Sequence, residues 1–366
     1  MRGTIHQFRA FDLFAFTFSS TVTMGVAFLP YVADGEIRSA WLKLILTSIP
    51  YFFLIWLISR YFRLYDNSDF FKILRKQAGS LVYFISLPYL ILSSIFSTMK
   101  VTQDLTFLVR TFMLKTTPTF FIILPFILLI SIAVHYGLLT IVRFVSFFVV
   151  AEIILLGTFL TWGFFSEYFN WILIPPVMNV ELPIFLKSSI SDAARYGGIV
   201  TLLGFIQYVK REEKALRAMS AGLLCIMLIY VSLSLVVLGV FGYEEAIHLI
   251  SPIITLVQSI TPSTGLLERM DLLFLGFWVI SFIKVSCILF WFSIYLLEQL
   301  FPKVKRWLLI ASITPLFFLY ANWVPFHFME GWQIYNVNVL VASLLVPSLL
   351  LLFVILRHRN SREMVS

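Results

Sequence analysis

Apolar runs of about 20 residues, long enough to cross a hydrocarbon core as helices, recur along almost the whole sequence. They fall near 11–31, 39–62, 80–112, 117–135, 138–165, 190–208, 216–242, 267–299, 306–324 and 334–356. Within a bilayer the backbone amides have no water to bond, so each crossing must satisfy its own hydrogen bonds, which an α-helix does in one segment. Runs of Val and Ile that would otherwise pass for buried strands are too long for that reading. Composition agrees: 60% of residues are hydrophobic and 13% charged, against about 25% charged in soluble domains. The expectation is an all-α polytopic membrane protein with ten transmembrane helices, residues 1–366 forming a single integral membrane domain.

The net charge of +8 would suit nucleic acid if the basic residues shared one solvated face. They sit instead in short loops, where they set topology, so no nucleic-acid partner is expected. With a cytoplasmic N-terminus, 18 Lys and Arg fall on the inside and six (Arg38, Lys43, Arg110, Lys115, Lys187 and Arg269) on the outside. That bias predicts both termini cytoplasmic. The opening MRGTIHQFRAFDLFAFTF lacks a small-residue cleavage site and reads as a retained first helix. Outside, 166–189 reads as an interfacial cap rich in Pro and aromatics, and 243–265 as an amphipathic helix too short to cross. Inside, NSDFFKILRKQAG at 67–79 has a cap residue, an amphipathic turn set and a closing Gly, which predicts a short surface helix.

Two spans carry small and polar residues where a crossing should be most apolar. The first contains SSTVTMGVAFLP at 19–30 and the sixth ARYGGIVTLLG at 194–204. Gly lowers helix stability by about 1 kcal/mol relative to Ala, and hydroxyls replace lost backbone partners, so both are expected to be discontinuous. Each opens one half of the chain, about 11–165 and 190–357, with five spans apiece. An odd number of crossings per half inverts the second half against the first. Five plus five with broken helices 1 and 6 is the pattern of an inverted-repeat transporter, whose ligand lies between the unwound segments. Free amides at a helix start favour a carboxylate and free carbonyls an ammonium, so a zwitterionic amino acid suits both. Thr21, Thr23, Gly25, Gly197, Gly198 and Thr201 are the candidate ligand-binding residues.

Charges at membrane depth are costly and point to partners. Lys100 and Asp104 are four residues apart on one helix face, which allows mutual neutralisation, and the long third span also allows them to lie near the outer interface. Glu152, in SFFVVAEIILL, and Lys284, in LFLGFWVISFIK, have no local partner. Each is the other's candidate counterpart, in charge or proton coupling. Cys225 and Cys287 both lie in apolar spans with no redox or metal spacing, and the five histidines are scattered, so no cofactor or metal is implied. A membrane-embedded enzyme would need a His or Asp cluster at one membrane face, and none is evident in the sequence.

The stretch SPIITLVQSITPSTGLLERMDLLFLGFWVISFIK, with Glu268, Arg269 and Asp271 ahead of LFLGFW…FIK, resembles the spore germination permease family. These are the B-type subunits of nutrient germinant receptors. FLPYVADGEIRSAWL at 28–42 is similar to the end of that family's first helix and the start of its second. The resemblance covers essentially the whole chain in length, helix number and loop layout. It implies the LeuT-like fold of the APC superfamily, a place in the spore inner membrane, and association with an A-type membrane subunit and a C-type lipoprotein. It further implies recognition of a small nutrient, often an amino acid, that triggers germination. By the same analogy Lys284 supplies a fixed cation where relatives hold sodium, with Glu152 close enough to exchange a proton. A proton-coupled amino-acid transporter is the alternative on the same fold. YGGIVTLLG departs from a transporter pattern in having no acidic residue to engage a substrate amine.

Overall fold

The computed structural model describes residues 8–22, 39–65, 68–174, 181–210, 214–260, 270–324 and 329–363. Its helices are α1 (Ala10–Ser19), α2 (Ala40–Tyr65), α3 (Phe70–Leu108), α4 (Thr119–Tyr136), α5 (Leu138–Phe164), α6 (Leu182–Ala194), α7 (Leu202–Phe205), α8 (Ala215–Ala246), α9 (Pro252–Ile260), α10 (Met270–Leu300), α11 (Arg306–Trp323), α12 (Met329–Leu340) and α13 (Val346–Glu363). Seven stretches are long and apolar enough to cross a membrane: Ala40–Tyr65, Phe70–Met113, Thr119–Tyr136, Leu138–Phe164, Ala215–Ala246, Phe274–Leu300 and Ile334–His358. Of two shorter apolar segments, Ala10–Ser19 ends where the first predicted break begins and Gly197–Tyr208 overlaps the second; residues 23–30 of the first break lie outside the described residues. With α11 in the ninth predicted span, the set is compatible with ten crossings.

The bundle is apolar on its outer face and encloses polar groups within an apolar core. Leu81 and Phe147 are 75% and 76% exposed, while Ser19, Thr21, Lys284 and Ser293 are completely buried. Large apolar side chains so exposed are what lipid, as the outer solvent, selects. Pro50, Pro88, Pro125 and Pro315 sit inside crossing helices, which neighbouring helices make tolerable in a bilayer. Of the seven long stretches, Phe274–Leu300 is the most enclosed, packed by α3, α4 and α5.

The predicted surface helix is present. Asp69 caps it, its carboxylate accepting from the amides of Phe71 at 3.0 Å and Lys72 at 3.4 Å, groups that no preceding turn can satisfy. Phe70, Phe71 and Leu74 turn inward. Gly79 then takes φ 83°, a conformation that a β-carbon disfavours, and separates this short helix from the crossing that follows.

The sixth crossing differs from the expected 190–208. Its first half, α6, begins at Leu182, inside what reads as an interfacial cap. Pro183 explains the misreading: it stands in the first helical turn, where a missing amide costs nothing, rather than in a loop. After Ala194 the chain turns through Arg195 and Tyr196 and continues as 3₁₀-helix Gly197–Thr201, α7 and 3₁₀-helix Ile206–Tyr208. α1 stops at Ser19, followed by a turn over residues 20–22. The outer ends of these half-helices from the break are also joined: Phe8 donates to the Tyr208 carbonyl at 2.9 Å and accepts from the Lys210 amide at 3.0 Å. Beside that bridge the rings of Phe8 and Phe16 each stack on Phe205, at 5.2 and 4.2 Å.

Candidate functional site

The two breaks touch. A β-carbon added to Gly198 would lie 1.8 Å from the Ser20 carbonyl oxygen, so glycine is required for the two backbones to approach this closely. Ending α1 frees carbonyls that a continuous helix would use, and a side chain from α8 meets one of them: Tyr230 donates to the Thr21 carbonyl at 2.5 Å. Tyr196, at the sixth-helix turn, donates to the Leu44 carbonyl at 2.9 Å, and Tyr51 pairs with Ser343 at 3.0 Å. The three tyrosine rings form a row, each step 5.7 Å between centroids.

The predicted ligand residues divide into three groups. Thr21 and Thr201 are buried at the junction, their hydroxyls donating to the Phe18 and Gly198 carbonyls at 3.1 and 2.7 Å. Each keeps acceptor capacity. Gly197 and Gly198 are buried there too, Gly197 against Val339 and Ser343 of the last crossing. Thr23 and Gly25 lie outside the described residues, as do Glu268 and Arg269.

Glu152 and Lys284 meet. Their ion pair joins α5 to α10, with the two side chains 7% and 0% exposed. Ser281 donates to the other carboxylate oxygen, and the Lys284 ammonium donates to Ser19 Oγ at 3.3 Å, on the last turn of α1. The pair thus abuts the first-helix break. Burial of both charges is sustainable because each finds its opposite and an added hydroxyl. Lys100 and Asp104 also pair on α3, both buried in the bundle rather than solvated at an interface.

A further charged group is missing from the sequence reading. Lys43, which the loop count places outside, is buried in α2, 3.6 Å from Asp192 and donating to Ser188 at 3.1 Å. Arg195 donates to the other Asp192 oxygen at 3.1 Å. Asp192 therefore supplies the acidic residue near the sixth-helix break that YGGIVTLLG lacks. Its i, i+3 spacing to Arg195 within SSISDAARYGG was the available signal.

Two cavities flank the junction. One, of about 30 Å³, is lined by Val22, Glu152, Phe274, Trp278 and Ser281. Trp278 Nε1 is enclosed there with no hydrogen-bond partner among the described residues. The other, about 20 Å³, lies between the third, sixth, eighth and tenth crossings and is lined by Ser93, Ser94, Ser97, Gly197, Val200 and Ser343. Ser343 belongs to a π-helical turn, Val341–Leu345, a form of helix that recurs at functional sites.

Crossing helices of which the first and sixth break and meet, beside a buried carboxylate–ammonium pair, define a transporter-type membrane protein with the LeuT-like fold. Solved structures agree on that fold. Mhp1, a nucleobase-cation-symport-1 family transporter in a closed conformation with bromovinylhydantoin bound, is similar with a TM-score of 0.64 and 14% identity, over 93% of this chain and 78% of that one. A manganese transporter mutant from Eremococcus coleocola is similar with a TM-score of 0.52 and 12% identity, over 98% and 86%. The sequence model of the spore germination protein family, Spore_permease, matches residues 7–325, and the chain belongs to that family. Spore germination protein A2 of Bacillus subtilis (strain 168) is 25% identical over 328 residues, 87% of each chain. Spore germination protein GerLB of Bacillus cereus is 26% identical over 154 residues, 41% of each. The chain is an integral membrane protein of germinant-receptor or transporter-like type.

Proposed function

We propose that this chain is the nutrient-sensing membrane subunit of a spore germinant receptor. It binds a small nutrient such as an amino acid at the junction of its two broken helices and thereby triggers germination. The observation that carries this reading is the contact of Gly198 with the Ser20 carbonyl, which sets two interrupted helices against each other in a chain of the spore germination protein family. Interrupted helices present amides and carbonyls to a ligand's carboxylate and ammonium, and Ser93, Ser94, Ser97 and Ser343 give the small void beside Gly197 a polar lining.

On this reading the Glu152–Lys284 pair takes the place of a bound cation, linking α10 to the last turn of α1 through Ser19. The chain acts in the spore inner membrane with both termini cytoplasmic, alongside A-type and C-type receptor subunits. The test is binding of amino acids, nucleosides and sugars to purified protein, with a Lys284→Met variant as comparison. At least one class should bind saturably and lose affinity in the variant. Saturable binding of none, with folded protein confirmed, would overturn the proposal.

The second reading, a proton-coupled amino-acid transporter, draws on the cavity that reaches Glu152 from the side of Trp278. A carboxylate held by an ammonium yet bordering open space is arranged for proton exchange. Uptake into liposomes by this chain alone, driven by a pH gradient, would favour transport over sensing.

A further inference from the structure

Near the end of the last crossing, α2 and α13 part and leave a groove of about 420 Å³ lined by Trp56, Arg60, Leu352, Ile355, Leu356 and His358. Trp56 and Leu356 are 43% and 57% exposed on crossing helices, so the groove opens toward lipid. From Trp56 to Leu64 it runs about 12 Å along α2, at 1.5 Å per residue. Its base is built from fixed contacts. Tyr65 donates to the Val354 carbonyl at 3.1 Å, accepts from Gln77 at 2.6 Å, and places its ring 4.8 Å from that of His358.

The groove combines apolar walls with cationic and hydrogen-bonding groups. Arg60 is exposed with its guanidinium 5.7 Å from the Trp56 ring centroid, a pairing of a cation with an aromatic typical of the membrane–water boundary. Arg63 is exposed one turn further along α2, and Arg357 lies next to His358 on α13, bonded to the Gln77 carbonyl. The His358 ring, packed against Tyr65, closes the inner wall of the groove. A water-soluble ligand would leave Trp56, Leu352 and Leu356 unmatched, and a purely apolar one would leave Arg60 unmatched. A molecule with an acyl chain and a phosphate matches both.

We propose that the groove between α2 and α13 is a binding site for one anionic phospholipid, its phosphate at Arg60 and an acyl chain along Leu352, Ile355 and Leu356. Basic pockets between crossing helices hold anionic headgroups elsewhere, and each basic residue contributes about 1 kcal/mol near a charged leaflet. This inference is independent of the nutrient reading, since the groove shares no residue with the broken-helix junction.

The full chain, purified in detergent and mixed with phosphatidylglycerol or phosphatidylcholine of identical chains, would be examined by native mass spectrometry. Wild type should retain one phosphatidylglycerol in preference to phosphatidylcholine. Arg60→Gln should weaken that retention about fivefold, the equivalent of about 1 kcal/mol. Arg60→Lys should keep most of it, which separates loss of charge from loss of fold. Arg110→Gln, an exposed arginine on a different helix, is the control and should retain lipid as wild type does. Equal retention of the two lipids, or equal loss in Arg60→Gln and Arg110→Gln, would overturn the proposal. So would a groove that stays lipid-free because a second copy or another protein occupies it.

Discussion

Replacing Lys284 by Met removes one half of an ion pair whose members are 0% and 7% exposed. Among the described residues Glu152 would keep only the Ser281 hydroxyl as a partner, and a carboxylate so enclosed is costly. Breaking a buried pair on one side typically costs about 3–5 kcal/mol. We expect about 3 kcal/mol, the lower end of that range and over a hundredfold in the folded-to-unfolded ratio. The double variant Glu152→Leu with Lys284→Met fills similar volume without charge and should return to within about 1–2 kcal/mol of wild type. Unfolding of the four proteins in detergent gives the coupling as a double-mutant cycle, expected at about 2 kcal/mol or more. If Lys284→Met alone costs under about 0.5 kcal/mol and the cycle is additive, the two groups are solvated independently and the reasoning fails. The same variants separate glue from function. A pair that only holds α5 to α10 regains nutrient response in the double variant, whereas a pair that couples charge to ligand leaves a stable but unresponsive protein.

Two other substitutions probe the junction. Gly198→Ala places a methyl 1.8 Å from the Ser20 oxygen and must force the breaks apart; we expect normal membrane insertion with nutrient-triggered germination lost, scored by loss of spore optical density. Tyr230→Phe deletes the donor to the Thr21 carbonyl while keeping the ring; it should cost about 1–2 kcal/mol, visible as a lowered unfolding midpoint, and an unchanged midpoint would show that carbonyl to be satisfied otherwise.

What could be read in advance follows from how local each signal is. Crossings announce themselves because twenty apolar residues have few alternatives, and the breaks because Ser, Thr and Gly are out of place at that depth. Glu152 and Lys284 could be matched across the chain because an isolated charge in an apolar run demands a partner. The start of α6 was hidden because Pro183 marks a loop or a first helical turn with equal force. Lys43 passed for a loop cation since its partner Asp192 comes from the other half of the chain, and pairing at that separation is a property of the packed bundle. Tyr230 looked like any aromatic in a crossing. Its hydroxyl acquires meaning only when a carbonyl freed by a break in another helix lies 2.5 Å away.

The bridge at Phe8 and the contact at Gly198 fasten α1 and the later part of the sixth crossing together at two places. A rod pinned to its neighbour once can swivel; pinned twice, it can only travel with it. At about 1.5 Å per residue the ten residues of α1 separate the pins by about 15 Å. Any push delivered near Phe8 therefore arrives at Ser20 and at Gly198 in the same stroke, and a ligand wedged at the breaks moves the far end of both segments as one part.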